Sequence, residues 1–124
     1  MLLVVASALC GALVDSLWVA LDLVRYTSGT IVDGAAPAWI VMMWALFATT
    51  ITTTFTWLKD RVVVAALVGA IAGPLAYQGG ASLGAASLVE PVWRAFAAFA
   101  FTWALAMPLL VEGAERLTAR AARP

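Results

Sequence analysis

The chain has no histidine and a single cysteine, Cys10. One thiol cannot close a disulfide within the chain, and without imidazole the usual zinc and haem ligand sets cannot be assembled. Carboxylate-bound ions stay open on composition, but no pattern of residues asks for a metal or another cofactor. Charge is scarce too: 11% of the 124 residues are charged, against about a quarter in a soluble domain. Seven basic residues balance seven acidic ones, which leaves no electrostatic footprint for nucleic acid. What fills the chain instead is hydrocarbon, 65% hydrophobic residues with a mean hydropathy of +1.00. Its expected partners therefore lie in the membrane: lipids, another membrane protein, or a second copy of itself.

The organising stretch is Pro37 to Leu58, PAWIVMMWALFATTITTTFTWL, uncharged between Asp33 and Lys59-Asp60-Arg61. Its 22 residues exceed the roughly 20 that a helix needs to cross a hydrocarbon core of about 30 Å. Trp39 and Trp57 stand near its ends, where interfacial aromatics belong.

Three more spans follow from the same logic. The first runs from Leu2 to about Val24, interrupted by Asp15 and Asp22. No basic segment precedes it, and bulky Leu9 stands before Cys10 where a lipoprotein cleavage site wants a small residue, so it reads as a retained helix. Its start at Met1, with no flank outside the bilayer, suggests an earlier helix lost. Residues 25–36, with Gly29 and Gly34, read as a loop. The third span, 62–83, starts with the apolar Val62 to Tyr77, too short alone; it either runs on through Gly79-Gly80 or breaks near Gly73-Pro74 and re-enters. A crossing with a bent outer end is the favoured form. The last span, 91–112, holds Pro108, expected to bend it or end its regular part.

The fold class is thus all-α: a polytopic transmembrane bundle of about four spans in one domain, residues 1–115, followed by a short basic tail, 116–124. Lys59, Arg61, Arg116, Arg120 and Arg123 fall on one side, Arg25 and Arg94 on the other, which places both termini in the cytoplasm.

Asp15 is the sharpest functional signal, because an ionised aspartate inside a span costs about 2.5 to 3.5 kcal/mol and is turned inward toward a partner. Ser7, Gly11, Asp15 and Asp22 share one face of the first helix, with Ser16 beside them. Thr49, Thr52, Thr53 and Thr56 form a stripe on the second, flanked by Thr50 and Thr54. If the two faces meet, Asp15, Ser16, Thr49, Thr50 and Thr53 make a polar intramembrane site. The bland alternatives are threonines bonding their own carbonyls and an Asp15 that merely bridges helices. Gly69 and Gly73, followed by Pro74, and the second step Gly80 to Gly84 read as helix-packing positions. Trp18, Trp44, Trp93 and Trp103 read as packing or interface anchors, Cys10 as a small buried side chain, and Glu90 with Arg94 as a surface pair. No catalytic constellation emerges.

Val14-Asp15-Ser16, Pro37-x-Trp39, Leu46-Phe47-Ala48-Thr49-Thr50, Gly73-Pro74-Leu75-Ala76-Tyr77 and Gly79-Gly80-Ala81-x-Leu83-Gly84-Ala85, in that order, resemble the DUF2878 family of small bacterial membrane proteins. The likeness covers most of the chain. It implies an inner-membrane protein with no assigned reaction, a further helix ahead of the first, and genes near those of lipid-modifying enzymes. The family pattern has Asn, His or Ser after the Thr-Thr pair where this chain has Thr52, Thr53 and Thr54, which argues against histidine-dependent chemistry here.

Three functions stay open: a non-enzymatic accessory or assembly partner in envelope or lipid metabolism, favoured because no catalytic set emerges; an oligomeric small transporter or channel subunit with Asp15 and the threonine stripe along its path; and a lipid-modifying enzyme using Asp15, Asp22 or Asp33 as acid or base.

Overall fold

The structure, a computed structural model, describes residues 1–122; Arg123, one of the five residues of the basic side, and Pro124 lie outside the described residues. The elements in order are α1 (Leu2–Ala20), β1 (Val24–Tyr26), α2 (Ala38–Ile51), α3 (Val62–Ser82), β2 (Ala86–Leu88) and α4 (Val92–Ala121), with a 3₁₀ turn at Thr56–Leu58. α1, α3 and α4 are each long and apolar enough to cross a membrane. The chain is a helical membrane protein.

α2 differs from the full-length helix expected over 37–58. It has 14 residues, a rise of about 21 Å at 1.5 Å per residue, and stops where the threonines begin to crowd. Four hydroxyls, those of Thr49, Thr50, Thr52 and Thr53, donate to the carbonyl three residues back. The Thr50 carbonyl accepts from the N–H of Thr53, Thr54 and Phe55 together, closing the last turn. Branched side chains that compete for backbone carbonyls make a poor helix interior, and the run unwinds there.

α3 is continuous through Gly73-Pro74 and on past Gly79-Gly80 to Ser82. α4, 30 residues in all, likewise continues past Pro108, which therefore does not end it. A proline removes one backbone bond, but Met107, Leu110, Val111 and Ala114 are buried on either side of it, and that packing carries the helix through. At about 45 Å, α4 outruns the hydrocarbon core, and its last turns carry the Glu112–Arg116 ion pair and Arg120.

The chain folds as two copies of one plan, α1-β1-α2 and α3-β2-α4. Within each copy the two helices pack on one another, and β1 pairs antiparallel with β2 (Val24 with Leu88, Tyr26 with Ala86) to tie the copies at one end. β2 begins 62 residues after β1. Buried Ser7, Gly11 and Asp15 of α1 have buried counterparts in α3 at the same spacing, Gly69, Gly73 and Tyr77. In α2, Ile40, Trp44, Ala48 and Ile51 match Phe99, Trp103, Met107 and Leu110 of α4, each 59 residues on.

Glycine sets the approach in both copies. A Cβ on Gly11 would lie 2.2 Å from the Trp44 ring, and one on Gly73 would lie 2.5 Å from the Trp103 ring. The two indoles stack between the copies, centroids 4.5 Å apart. Two clusters result: Trp18, Val24, Ile40, Tyr77 and Phe99 toward the strand end, and Trp44, Ile51, Leu58, Met107 and Leu110 toward the other. Cys10, expected inside, is exposed, because it falls outside the Ser7-Gly11-Asp15 face that packs.

Candidate functional site

Asp15 is completely buried, at 0% exposure. Its Oδ1 accepts from the Tyr77 hydroxyl of α3 at 2.8 Å and from the Tyr26 hydroxyl of β1, and its Oδ2 accepts from Trp44 Nε1–H of α2 at 2.8 Å. One carboxyl thus joins three elements drawn from both copies. Among the described residues no basic side chain is a partner. Gly11, one turn earlier, lets the Trp44 ring come close enough for the contact, and the Ser7 hydroxyl fixes the same residue from below by donating to its carbonyl at 2.9 Å. Tyr26 is held by β1, on the loop side of the site. Burial, and then the carboxyl beside it, push its hydroxyl well above the ordinary phenol range, which keeps it a donor.

Ser16 turns away from this cluster. Its hydroxyl accepts from the Ala36 N–H at 2.9 Å and fastens the loop that leads into α2. Asp22 pairs with Arg25 at 3.0 Å in an exposed position, and Asp33 is exposed on the loop.

The threonines do not meet Asp15. Thr49 and Thr53 are exposed, Thr50 is half-buried, and all three hydroxyls go to their own helix's carbonyls. The Trp44 carbonyl is already level with Ser7, so residues 49–53 lie further along, beside the start of α1. Asp15 finds its donors on tyrosine and tryptophan instead. The chain has only two tyrosines, and both end on Asp15. A signal for them existed in the sequence: a buried phenol needs an acceptor, and Asp15 was the one acid well inside a span.

Of the packing glycines, Gly69 and Gly73 sit against Trp103, where a Cβ on Gly69 would lie 2.1 Å from its carbonyl oxygen. Gly80 and Gly84 make no such approach, since a Cβ on either would have nothing within 4 Å. Gly84 lies beyond α3, where φ of +77° in the turn to β2 favours glycine. Gly80 borders open space.

That space is a groove of about 610 Å³ between the copies. α3 forms one wall from Val68 to Gly80, continued by Leu83 just beyond it, and α2 the other, with Met43 and Phe47; Trp103 and Met107 of α4 also line it. Among the described residues no charged side chain lines it. Tyr26, Trp44 and Tyr77 each line it while donating to Asp15 behind. The arrangement can hold an apolar ligand against a rigid polar knot, and the knot itself is closed.

A membrane bundle of two repeated hairpins around a sealed carboxyl is the class that fold and site define. The chain belongs to the DUF2878 family, proteins of unknown function, whose model matches residues 1–109 and so includes every residue of the Asp15 cluster. No curated protein and no solved structure matches it.

Proposed function

We propose that this protein is a non-enzymatic accessory of envelope or lipid metabolism that holds a hydrophobic ligand in the groove between its two hairpins. The carrying observation is the groove itself, whose size falls in the range of ligand sites and whose lining is uncharged and largely apolar. The enzyme reading has less support at Asp15, because an acid or base must reach its substrate and this one is covered with both oxygens occupied, while the exposed Asp22 is paired with Arg25 and neither it nor Asp33 lines the groove. The transport reading needs a wet seam, and four of the six threonine hydroxyls that would line one, those of Thr49, Thr50, Thr52 and Thr53, donate to their own backbone. In the favoured reading the partners are membrane lipids, the protein sits in the inner membrane, and both termini are cytoplasmic, as the basic asymmetry indicates.

The test is native mass spectrometry of protein extracted in mild detergent. The wild type should retain a bound lipid, and Gly80→Phe, which projects a ring into free space, should lose it at equal protein yield. Wild-type protein free of lipid, or equal retention by the variant, would sink the proposal. A deletion strain with an unaltered lipid mass profile would argue against a place in lipid metabolism.

A further inference from the structure

The repeat shows what the groove is. Counterparts in α1 and α3 stand 62 residues apart, so Val14 and Trp18 answer to Ala76 and Gly80. Trp18 is buried and rests on Phe99 of α4, ring centroids 4.6 Å apart, between the two copies. Ala76, Gly80 and Ile40, the counterpart of Phe99, all line the groove. One seam between the copies is thus filled by the chain's own side chains, and the equivalent seam, where a tryptophan is replaced by glycine, is left open. From Val68 to Gly80 it runs about 18 Å along α3, the reach of one extended acyl chain.

A second cleft, of about 340 Å³, lies between the end of α2 and the last turns of α4. Phe55 borders both this cleft and the groove. Ile51, Phe55 and Val111 make its apolar part; Thr56 and Lys59 after α2, and Glu115 on α4, make its polar part. Here the chain leaves the hydrocarbon, since Lys59 ends the uncharged run from Pro37 and the Glu112–Arg116 pair follows directly on Val111. Lipid head groups lie at this level.

The two charges in the cleft are of opposite sign and do not pair with each other. The ion pairs among the described residues are Asp22–Arg25 and Glu112–Arg116, and neither includes Lys59 or Glu115. Glu115 is half-buried, and its covered Oε1 has no partner among the described residues. A carboxylate drawn partly out of water without a counter-charge is unfavourable. A cation in the cleft acts on the whole carboxylate charge and needs no contact with the covered oxygen. A lone anion would be drawn to Lys59 and repelled by Glu115, and a lone cation the reverse. A phosphate and an ammonium a few bonds apart satisfy both. An ammonium that carries N–H donors suits a carboxylate better than a quaternary amine, which has none.

Building on the groove reading, we infer that the ligand is a zwitterionic phospholipid with a primary-amine head group: its phosphate at Lys59 and Thr56, its ammonium at Glu115, and one acyl chain passing Phe55 into the groove.

The experiment uses the full chain, stripped of lipid in mild detergent and mixed with equal amounts of dioleoyl phosphatidylethanolamine, phosphatidylcholine and phosphatidylglycerol. Native mass spectrometry counts the three adducts, which differ in mass. The ethanolamine lipid should exceed each of the others about fivefold, the upper range for one partly exposed ion pair. Glu115→Gln, which keeps the shape and removes the charge, should abolish that preference, and Lys59→Met should lower occupancy by all three lipids. Lys59 is exposed and Glu115 makes no ion pair among the described residues, so both variants should fold; if either does not, the wild-type comparison of lipids decides alone. Glycerophosphoethanolamine, the same head group without chains, should not displace the lipid. Bound lipid with no head-group preference, or a preference that survives Glu115→Gln, would overturn the inference and leave the groove reading standing. So would a preference for phosphatidylglycerol or phosphatidylcholine, or displacement by the chainless head group. Protein that takes up none of the three lipids would overturn both readings.

Discussion

Replacing Asp15 by leucine should act in opposite directions on two successive equilibria. Entry of α1 into the bilayer should improve, since an aspartate at depth costs about 2.5 to 3.5 kcal/mol and leucine is favourable there. Assembly of the inserted helices should suffer. Asp15 receives three donors from three elements, and interhelical hydrogen bonds in membranes average about 0.6 kcal/mol with a maximum near 1.7. Three of them amount to about 2 to 5 kcal/mol, and leucine leaves Trp44, Tyr26 and Tyr77 with nothing to donate to. Asp15→Asn should fall between. Its amide oxygen can serve either the Trp44 side or the tyrosine side, but its NH₂ then faces the other, and an indole N–H cannot accept at all. The assay is resistance to SDS-induced unfolding of purified protein in mixed micelles, read beside an insertion assay for α1 alone. The expected order of assembled stability is wild type, Asn, Leu. A leucine variant as resistant as wild type would refute the view that this carboxyl knots the bundle.

Tyr77→Phe removes one donor and keeps the ring against Trp18 and Phe99, so in the same SDS assay it should cost about 0.6 to 1.7 kcal/mol. Gly73→Leu should lower the yield of detergent-stable protein far more than Leu67→Ala, because Leu67 is exposed to lipid while a side chain at Gly73 strikes the Trp103 ring; size-exclusion recovery compares them. Gly69→Ala should be severe for the same reason, with Trp103's backbone in the way, whereas Gly80→Ala should melt with the wild type in a thermal scan. A fluorescent protein fused after the last residue should glow in cells if the C-terminus is cytoplasmic, and periplasmic reporter activity there would reverse the orientation.

Sequence alone determined the solvent, the helical class and the family likeness, because a lipid core admits so few backbone solutions that composition and run length nearly suffice. It also singled out Asp15 and the Gly69-Gly73 face, since a charge or a paired glycine in an apolar helix stands out by type. What it did not determine was partnership. Threonines looked like the polar company Asp15 would keep, yet a hydroxyl that can reach its own helix's carbonyl has no need of another helix. Those same local bonds cut α2 short of the apolar run. Trp44 read as packing, Tyr26 and Tyr77 carried no reading of their own, and only the meeting of a loop strand with two helices from different hairpins made all three donors to one carboxyl. The two-copy plan was hidden as well, because what repeats is burial and size at fixed spacing, Ser7 with Gly69 and Gly11 with Gly73, while the residue that matters most differs, Asp15 in one copy and Tyr77 in the other. The tertiary structure decided that difference's consequence: one indole N–H satisfied by a carboxyl, the other buried with no partner among the described residues.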